Sequence, residues 1–269
     1  MGYDKALEFK PDMVFCSRTQ ALTEQVRSIR KEFKKVVICM WNVDGREKIE
    51  HWSYLFELVR LCDLHFVTNF GSVKDWRKLN QGTYWLSQGL QTEVYKKPIR
   101  ITEKDKQRYE SDVTFAGDLD SMIHRQRRPF IYAIKQAGIK FKHWNRRQGV
   151  WNEEHNKMVA LTKVSLGCTI YFGPGNGTSV RDYKVMGAGG FLLDLWRERI
   201  HNHFPLQDGK KLMDTYSDPA DLVNKIKYYL EHEDEREEIA KCGYEWVHAN
   251  ARYIDRMKEV IGYVEKLQT

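Results

Sequence analysis

Arginine, lysine and hydroxyl side chains collect behind two glycine-bearing turns, and that pattern suits an anion. The run at residues 173–177, GPGNG, is followed by Thr178, Ser179 and Arg181, with Lys184 one helical turn further on. Glycines such as Gly177 let backbone approach a ligand, and the start of a helix presents N–H groups and a positive dipole end to a phosphate. Arg181 adds a planar fork that matches a diphosphate. The run fits neither the dinucleotide fingerprint nor the phosphate loop, which needs Lys-Ser/Thr after its last glycine. An ordinary crossover with a flexible loop is the bland alternative. A second cluster is Gly117-Asp118-Leu119-Asp120, followed by Arg125, Arg127 and Arg128. Its Asp-x-Asp spacing also matches a metal motif, but such a pair arises by chance about once in a chain of this composition. A third candidate, Asp44, follows the apolar run 36–41 and could deprotonate or orient a hydroxyl, or simply cap the next helix.

The elements that must position these groups alternate. Apolar strands are expected at 11–16, 36–41, 63–68 and 83–86, separated by helices near 18–33, 46–61 and 73–79. This β-α-β-α-β-α-β order is that of a parallel sheet. Residues 96–110 are charged and aperiodic and read as a linker. A second series follows: strand 112–116, helix 124–137, strand 139–144, helix 152–161, strand 164–172, helix 179–187, strands 190–194 and 210–215, and helix 218–231. Two helices, 233–249 and 253–266, close the chain. In open α/β sheets ligands bind at the carboxyl ends of strands, where both glycine turns fall.

The segment SVRDYKVMGAGGFLLD (179–194) resembles the signature of GT-B glycosyltransferases, in particular the spore-maturation-protein-B-like branch. The run DVTFAG (112–117) resembles the opening of that family's C-terminal domain, and WLSQGL (85–90) the close of its N-terminal one. The resemblance extends through the capped start SDPADL (217–222), YYL (228–230) and EREEIA (235–240). It implies two Rossmann-like, doubly wound domains: a trimmed acceptor domain at 1–95, a linker at 96–110, a donor domain at 111–250, and a closing helix at 251–269 that returns to the first domain. It further implies a nucleoside-diphosphate sugar as donor, a UDP-sugar foremost, and no metal. Gly117, Asp118, Arg125, Arg128, Gly177, Thr178, Ser179 and Lys184 would hold that donor, with Arg181 and Asp44 in catalysis. One departure stands out: the family places Glu, a ribose ligand, where this chain has Lys184.

The 269 residues are 42% hydrophobic and carry a net charge of +7. Residues 96–147 contain 14 Lys and Arg against 6 Asp and Glu, so the whole basic surplus sits there. That surplus suits a nucleotide donor, and also a polyanion such as duplex DNA. Two acceptor classes follow: a hydroxymethylated pyrimidine in DNA, as in phage-type DNA modification, and a polysaccharide, lipid or protein hydroxyl. A non-catalytic sugar-nucleotide-binding module is a third reading. No run approaches a membrane span, and MGYDKALEFK lacks a signal-peptide core. Five scattered cysteines without a C-x-x-C pair point to reduced thiols in a cytoplasmic protein, in the host cytoplasm for a viral one.

Overall fold

The computed structural model describes residues 5, 8–17, 23–44, 48–98, 100–169 and 177–268. The chain divides into two compact units. The first comprises Met1–Ser87, Phe172–Gly177 and Arg256–Thr269; the second comprises Gln88–Tyr171 and Thr178–Asp255.

In the first unit β1 (Met13–Ser17), β2 (Val37–Asn42), β3 (Leu64–Val67) and β4 (Thr83–Trp85) pair in sequential order, all parallel. They alternate with α1 (Thr23–Glu32), α2 (Phe56–Leu61, entered through a 3-10 stretch Ile49–Leu55) and α3 (Val73–Trp76). Right-handed crossovers between sequential neighbours all fall on one face. There Cys16, Ile38, Met40 and Val67 pack with Val26, Ile29, Leu58, Val59 and Trp76. The other face, with Val37, Cys39, Trp41, Leu64 and Phe66, still needs a cover, because parallel sheets are buried on both sides. Met257, Val260, Tyr263 and Val264 from the last helix, Tyr253–Gln268, supply it. Tyr263 lies 4.2 Å from Tyr84 and 5.6 Å from Phe66, ring to ring.

In the second unit β5 (Ser111–Ala116), β6 (Phe141–Trp144), β7 (Thr162–Leu166), β8 (Leu192–Leu195) and β9 (Asp214–Tyr216) form a parallel sheet in the order β6-β5-β7-β8-β9. The helices are α4 (Glu103–Tyr109), α5 (Arg128–Gln136), α6 (Glu153–Ala160), α7 (Val180–Gly187), α8 (Ile200–His203), α9 (Pro219–Glu231) and α10 (Glu233–Asn250). They cover both faces. Ile131 and Ile134 of α5 join Leu222, Ile226 and Tyr229 of α9 in one core; Met158, Tyr183, Met186 and Val247 of α6, α7 and α10 join the other. This is an α/β, doubly wound arrangement.

Several local readings change. The stretch 96–110, read as a linker, contains α4, started by a capping box between Thr102 and Asp105 and ending in the fully buried Tyr109. The helix expected at 124–137 opens as a 3-10 segment, Met122–Arg127, before α5. β7 stops at Leu166, short of the strand expected to 172, and β8 and β9 begin a few residues later than expected. Most of GPGNG, residues 173–176, lies outside the described residues, as does the end of that expected strand.

Two consequences can be measured. Val260 is fully buried against the sheet, so Val260→Asp should destabilise the first unit by about 3 kcal/mol or more, read by denaturant unfolding. His65 of β3 is also fully buried, with Nδ1 3.2 Å from Thr83 Oγ1 and its ring edge-on to Trp76. Burial pushes its pKa down to about 3, so the folded state holds it neutral while the unfolded chain protonates near 6.5. The stability this group contributes is therefore fully present above pH 6.5 and is lost progressively as pH falls from there toward about 3. Acidification from pH 7 to 5 should cost about 2 kcal/mol, and His65→Gln should flatten that slope.

Candidate active site

The strand order of the second unit reverses direction at β5, with β6 on one side and β7 on the other. The two chain directions diverge beyond the carboxyl ends of β5 and β7 and open a crevice there. A cleft of about 240 Å³ occupies that place, lined among others by Gly117, Asp118, Trp144, Trp151, Ser179 and Arg181. Gly117 from the end of β5 and Ser179 from the start of α7 thus line one cavity.

Ser179 caps α7. Its Oγ accepts the Arg181 N–H at 3.2 Å, and Asp182 Oδ2 accepts the Ser179 N–H at 2.9 Å, a reciprocal capping box that fixes the helix entry. Arg181 then folds back over β5. Its Nε donates to the Ala116 carbonyl at 2.6 Å, its guanidinium stands 4.9 Å from the centre of the Phe115 ring, and Nη1 is buried without a hydrogen-bond partner among the described residues. Gly117 is required by this approach. A Cβ there would lie 2.6 Å from Arg181 Nη2 and 2.7 Å from Phe115 Cζ.

A second guanidinium shares the Phe115 ring. Arg127, only 5% exposed, lies 5.6 Å from its centre. It donates Nε to the Cys168 carbonyl at 2.8 Å and Nη1 to the Asp118 carbonyl at 2.9 Å, tying the β5 turn to the segment after β7. Burial, then the neighbouring Arg181 charge, lowers its pKa to about 10. Two cations thus lie close together and are held by neutral carbonyls. Asp118, the one carboxylate lining the cleft among the described residues, is turned into its own loop: its Oδ1 accepts the Asp120 and Ser121 N–H groups at 2.8 and 3.3 Å, and hydrogen bonds led by Ser121 hold it at about 2.

Lys184 lies one turn along α7, half-buried, with Nζ 4.6 Å from the centre of the Tyr95 ring and 5.6 Å from that of Trp151. His155 of α6 lies beside it, edge-on to Tyr95. Burial, then the Lys184 and Arg181 charges, pushes its pKa down to about 3 and keeps it neutral. His143 stacks on Phe115 with Nε2 2.6 Å from the Gly117 carbonyl.

The structure therefore gathers Gly117, Asp118, Ser179, Arg181 and Lys184 around one cleft. Gly177 and Thr178 are buried beside the α7 start without lining it. Arg125 and Arg128 do not line it either. Arg125 is exposed, and Arg128, also exposed, donates to the Leu119 and Asp120 carbonyls, each at 3.3 Å. Arg127 takes the inner place because the 3-10 segment alters which side of the turn faces inward. Asp44 is exposed beyond β2 in the first unit. His155, Asn145, Arg146 and Val150 line the cleft without having been singled out, and their sequence context carries no periodic or motif signal. Among the described residues no three His, Cys, Asp or Glu side chains converge as metal ligands would. No helix among them is long and apolar enough to cross a membrane.

Known proteins show the same architecture. Anabaena Alr3699/HepE, solved with UDP and glucose, superposes with a TM-score of 0.68 at 10% identity, over 98% of this chain and 81% of that one. Sucrose-phosphate synthase from Thermosynechococcus elongatus gives 0.65 at 9%, over 98% and 75%. A glycosyltransferase from Rickettsia africae gives 0.66 at 9%, over 99% and 80%. At such identities the likeness establishes the GT-B fold alone. No curated protein matches the chain in sequence. The glycosyl transferase-like family model matches residues 112–262, more than half of the chain and nearly all of the second unit. With its cleft at the reversal point of a doubly wound parallel sheet, the chain belongs to the glycosyl transferase-like family.

Proposed function

We propose that the protein transfers a sugar from a nucleoside-diphosphate sugar to an acceptor hydroxyl, with the donor diphosphate in the cleft of the second unit. The observation that carries this is Arg181: a guanidinium at a helix start, bonded to a carbonyl, with one nitrogen buried and unpartnered beside a second cation. As the bond from the sugar to phosphate oxygen breaks, negative charge grows on the leaving diphosphate. Fixed positive charge and the positive end of α7 lower that barrier most, because they need no reorganisation. Arg127 holds the turn in shape from below, and Lys184 adds charge beside Tyr95 and Trp151. These cations supply the charge without a metal, and transfer is expected to persist in chelator. UDP is the first nucleotide to test, since Alr3699/HepE was solved with it. Residues 179–194 support placement in the spore-maturation-protein-B-like branch, and five free thiols, four of them buried, support a reducing, cytoplasmic setting.

For the acceptor, the basic surplus of residues 96–147 favours hydroxymethylated duplex DNA over polysaccharide, lipid or protein hydroxyls. Asp44 is the base we assign to that hydroxyl. The structure tempers the charge argument. Lys142 is bonded to the Gln107 and Arg108 carbonyls, Arg108 pairs with Glu154, and Arg127 is buried.

Mass spectrometry of UDP-sugars incubated with hydroxymethylcytosine duplex DNA and with simple glycans tests the function. Transfer to DNA, with binding that weakens steeply in salt, supports the first acceptor; transfer to glycans alone excludes it; neither transfer nor donor hydrolysis leaves only the binding-module reading. Arg181→Ala should lower kcat/KM by about 10²-fold or more with kcat taking most of the loss, while Gly117→Ala, which displaces Arg181, should cost about 10-fold. Unchanged kinetics in Arg181→Ala would remove the site assignment.

A further inference from the structure

Behind the cleft lies a charged cluster that the proposed reaction does not use directly. Asp182 and Asp194 are fully buried and Arg197 is 5% exposed. Arg197 Nη2 donates to Asp194 Oδ2 at 2.7 Å and reaches Asp182 Oδ2 at 3.4 Å. The same Asp182 oxygen accepts the Ser179 N–H at 2.9 Å, so this carboxylate is part of the cap that places the α7 start in the cleft. Asp182 Oδ1 has no hydrogen-bond partner among the described residues. Asp194 is fixed from two sides: its Oδ1 accepts the Leu195 N–H at 2.8 Å, and Gly167 leaves it room, since a Cβ there would fall 2.2 Å from that oxygen. Tyr216 of β9 closes the group, its hydroxyl donating to the Gly167 carbonyl at 2.7 Å. The charged groups that face Asp182 are thus Asp194 from β8, Arg197 beyond it and Arg181 on its own helix.

Two carboxylates therefore share one guanidinium nitrogen where water does not reach. Fully ionised, the cluster holds one negative charge too many, directly behind a cleft built for anions. Burial, then Asp194, raises the Asp182 pKa to about 7, so the buried pair gains or loses a proton near neutrality.

We propose that Asp182 is a positioning residue of the donor site and takes up a proton when an anionic diphosphate enters the cleft, an inference that rests on the donor-site reading above. The diphosphate engages Arg181, whose charge otherwise helps to keep Asp182 ionised, and adds negative charge of its own. Both effects favour protonation of Asp182. A protonated carboxyl still offers an oxygen to the Ser179 N–H, so the cap survives the change. Linkage then requires the donor to bind more tightly as pH falls through about 7.

Titration calorimetry of the full chain with UDP-glucose, and GDP-mannose in parallel, tests this. Their diphosphate diesters carry no proton between pH 6 and 8, so runs at pH 7 in two buffers of different ionisation enthalpy count protons taken up by the protein. Uptake of about half a proton per donor is expected, with affinity falling about 3- to 10-fold from pH 6 to 8. Asp182→Asn should take up none and lose the pH dependence. Asp194→Asn removes the repulsion, lowers the Asp182 pKa, and should shift the uptake to lower pH, which provides a second readout if Asp182→Asn folds poorly. Binding by the unmodified protein without uptake, or equal uptake in Asp182→Asn, which would assign the proton to another group, overturns the proposal and leaves the donor site standing. Failure of both sugar nucleotides to bind overturns the donor-site reading and the proposal with it.

Discussion

Arg181 and Arg127 are bonded to peptide carbonyls, and the rest of the second unit depends on that choice of partner. A guanidinium paired with a carboxylate has spent its charge; one held by a carbonyl keeps it. The Ala116 carbonyl takes Arg181, and the Cys168 and Asp118 carbonyls take Arg127. Their hydrogen-bond geometry is largely met while the net charge remains uncompensated. Burying such a pair over one Phe115 ring is unfavourable for the empty protein, as the lowered Arg127 pKa records. An incoming dianion removes that penalty, and part of the binding energy is thereby stored in the fold beforehand. The close approach also explains why position 117 has no side chain.

Strand order decides where this pair can form. In the β6-β5-β7-β8-β9 sheet, the reversal leaves the carboxyl ends of β5 and β7 flanked by chain that departs in opposite directions. The first unit has no such reversal among its described strands. Its sequential order gives a sheet covered by its own helices on one side only, and the distant residues Met257–Val264 complete the other. The final helix is thus a core element of the first unit although it follows the second in sequence. A chain ending before it would leave Val37, Cys39, Trp41, Leu64 and Phe66 bare.

Much of this was legible in the residues. Alternating strands and helices, two glycine-bearing turns and the helix start at residue 179 are local signals, and each has a local cause. Arg125 and Arg128 were expected at the donor, whereas Arg127 takes the inner place, because the choice depends on helix phase. An α-helix advances by about 100° per residue and a 3-10 helix by about 120°, so a single turn of the tighter form changes which arginine faces inward. The 3-10 segment Met122–Arg127 carries no sequence mark that announces it. The helix at Glu103–Tyr109 was obscured for a different reason: its outer face is charged or polar throughout, and only the Thr102–Asp105 cap and the buried Tyr109 show that it packs. His155 could not have been found from sequence, since a histidine on a buried helix face looks the same whether it borders a ligand or a leucine.

A buried acid behind an anion site opposes the ligand's charge. Replacing Asp182 by an apolar residue would remove the repulsion of a diphosphate, but it would also take away the acceptor for the Ser179 N–H and leave Arg197 with one carboxylate. The helix start would then lose the bond that sets its direction. A permanently ionised Asp182 would hold the cap firmly while opposing the ligand. An acid that changes protonation between the empty and occupied states reduces both costs, because it can give up its proton in the empty cleft and holds it when a diphosphate is bound. This requires a carboxyl poised near neutrality, which in turn requires burial beside a second carboxylate and no more than one shared cation. Asp194 and Arg197 meet those two conditions. The arrangement costs stability near neutral pH, where the folded protein bears a carboxyl that an unfolded chain would ionise freely, and that cost falls on the element nearest the ligand.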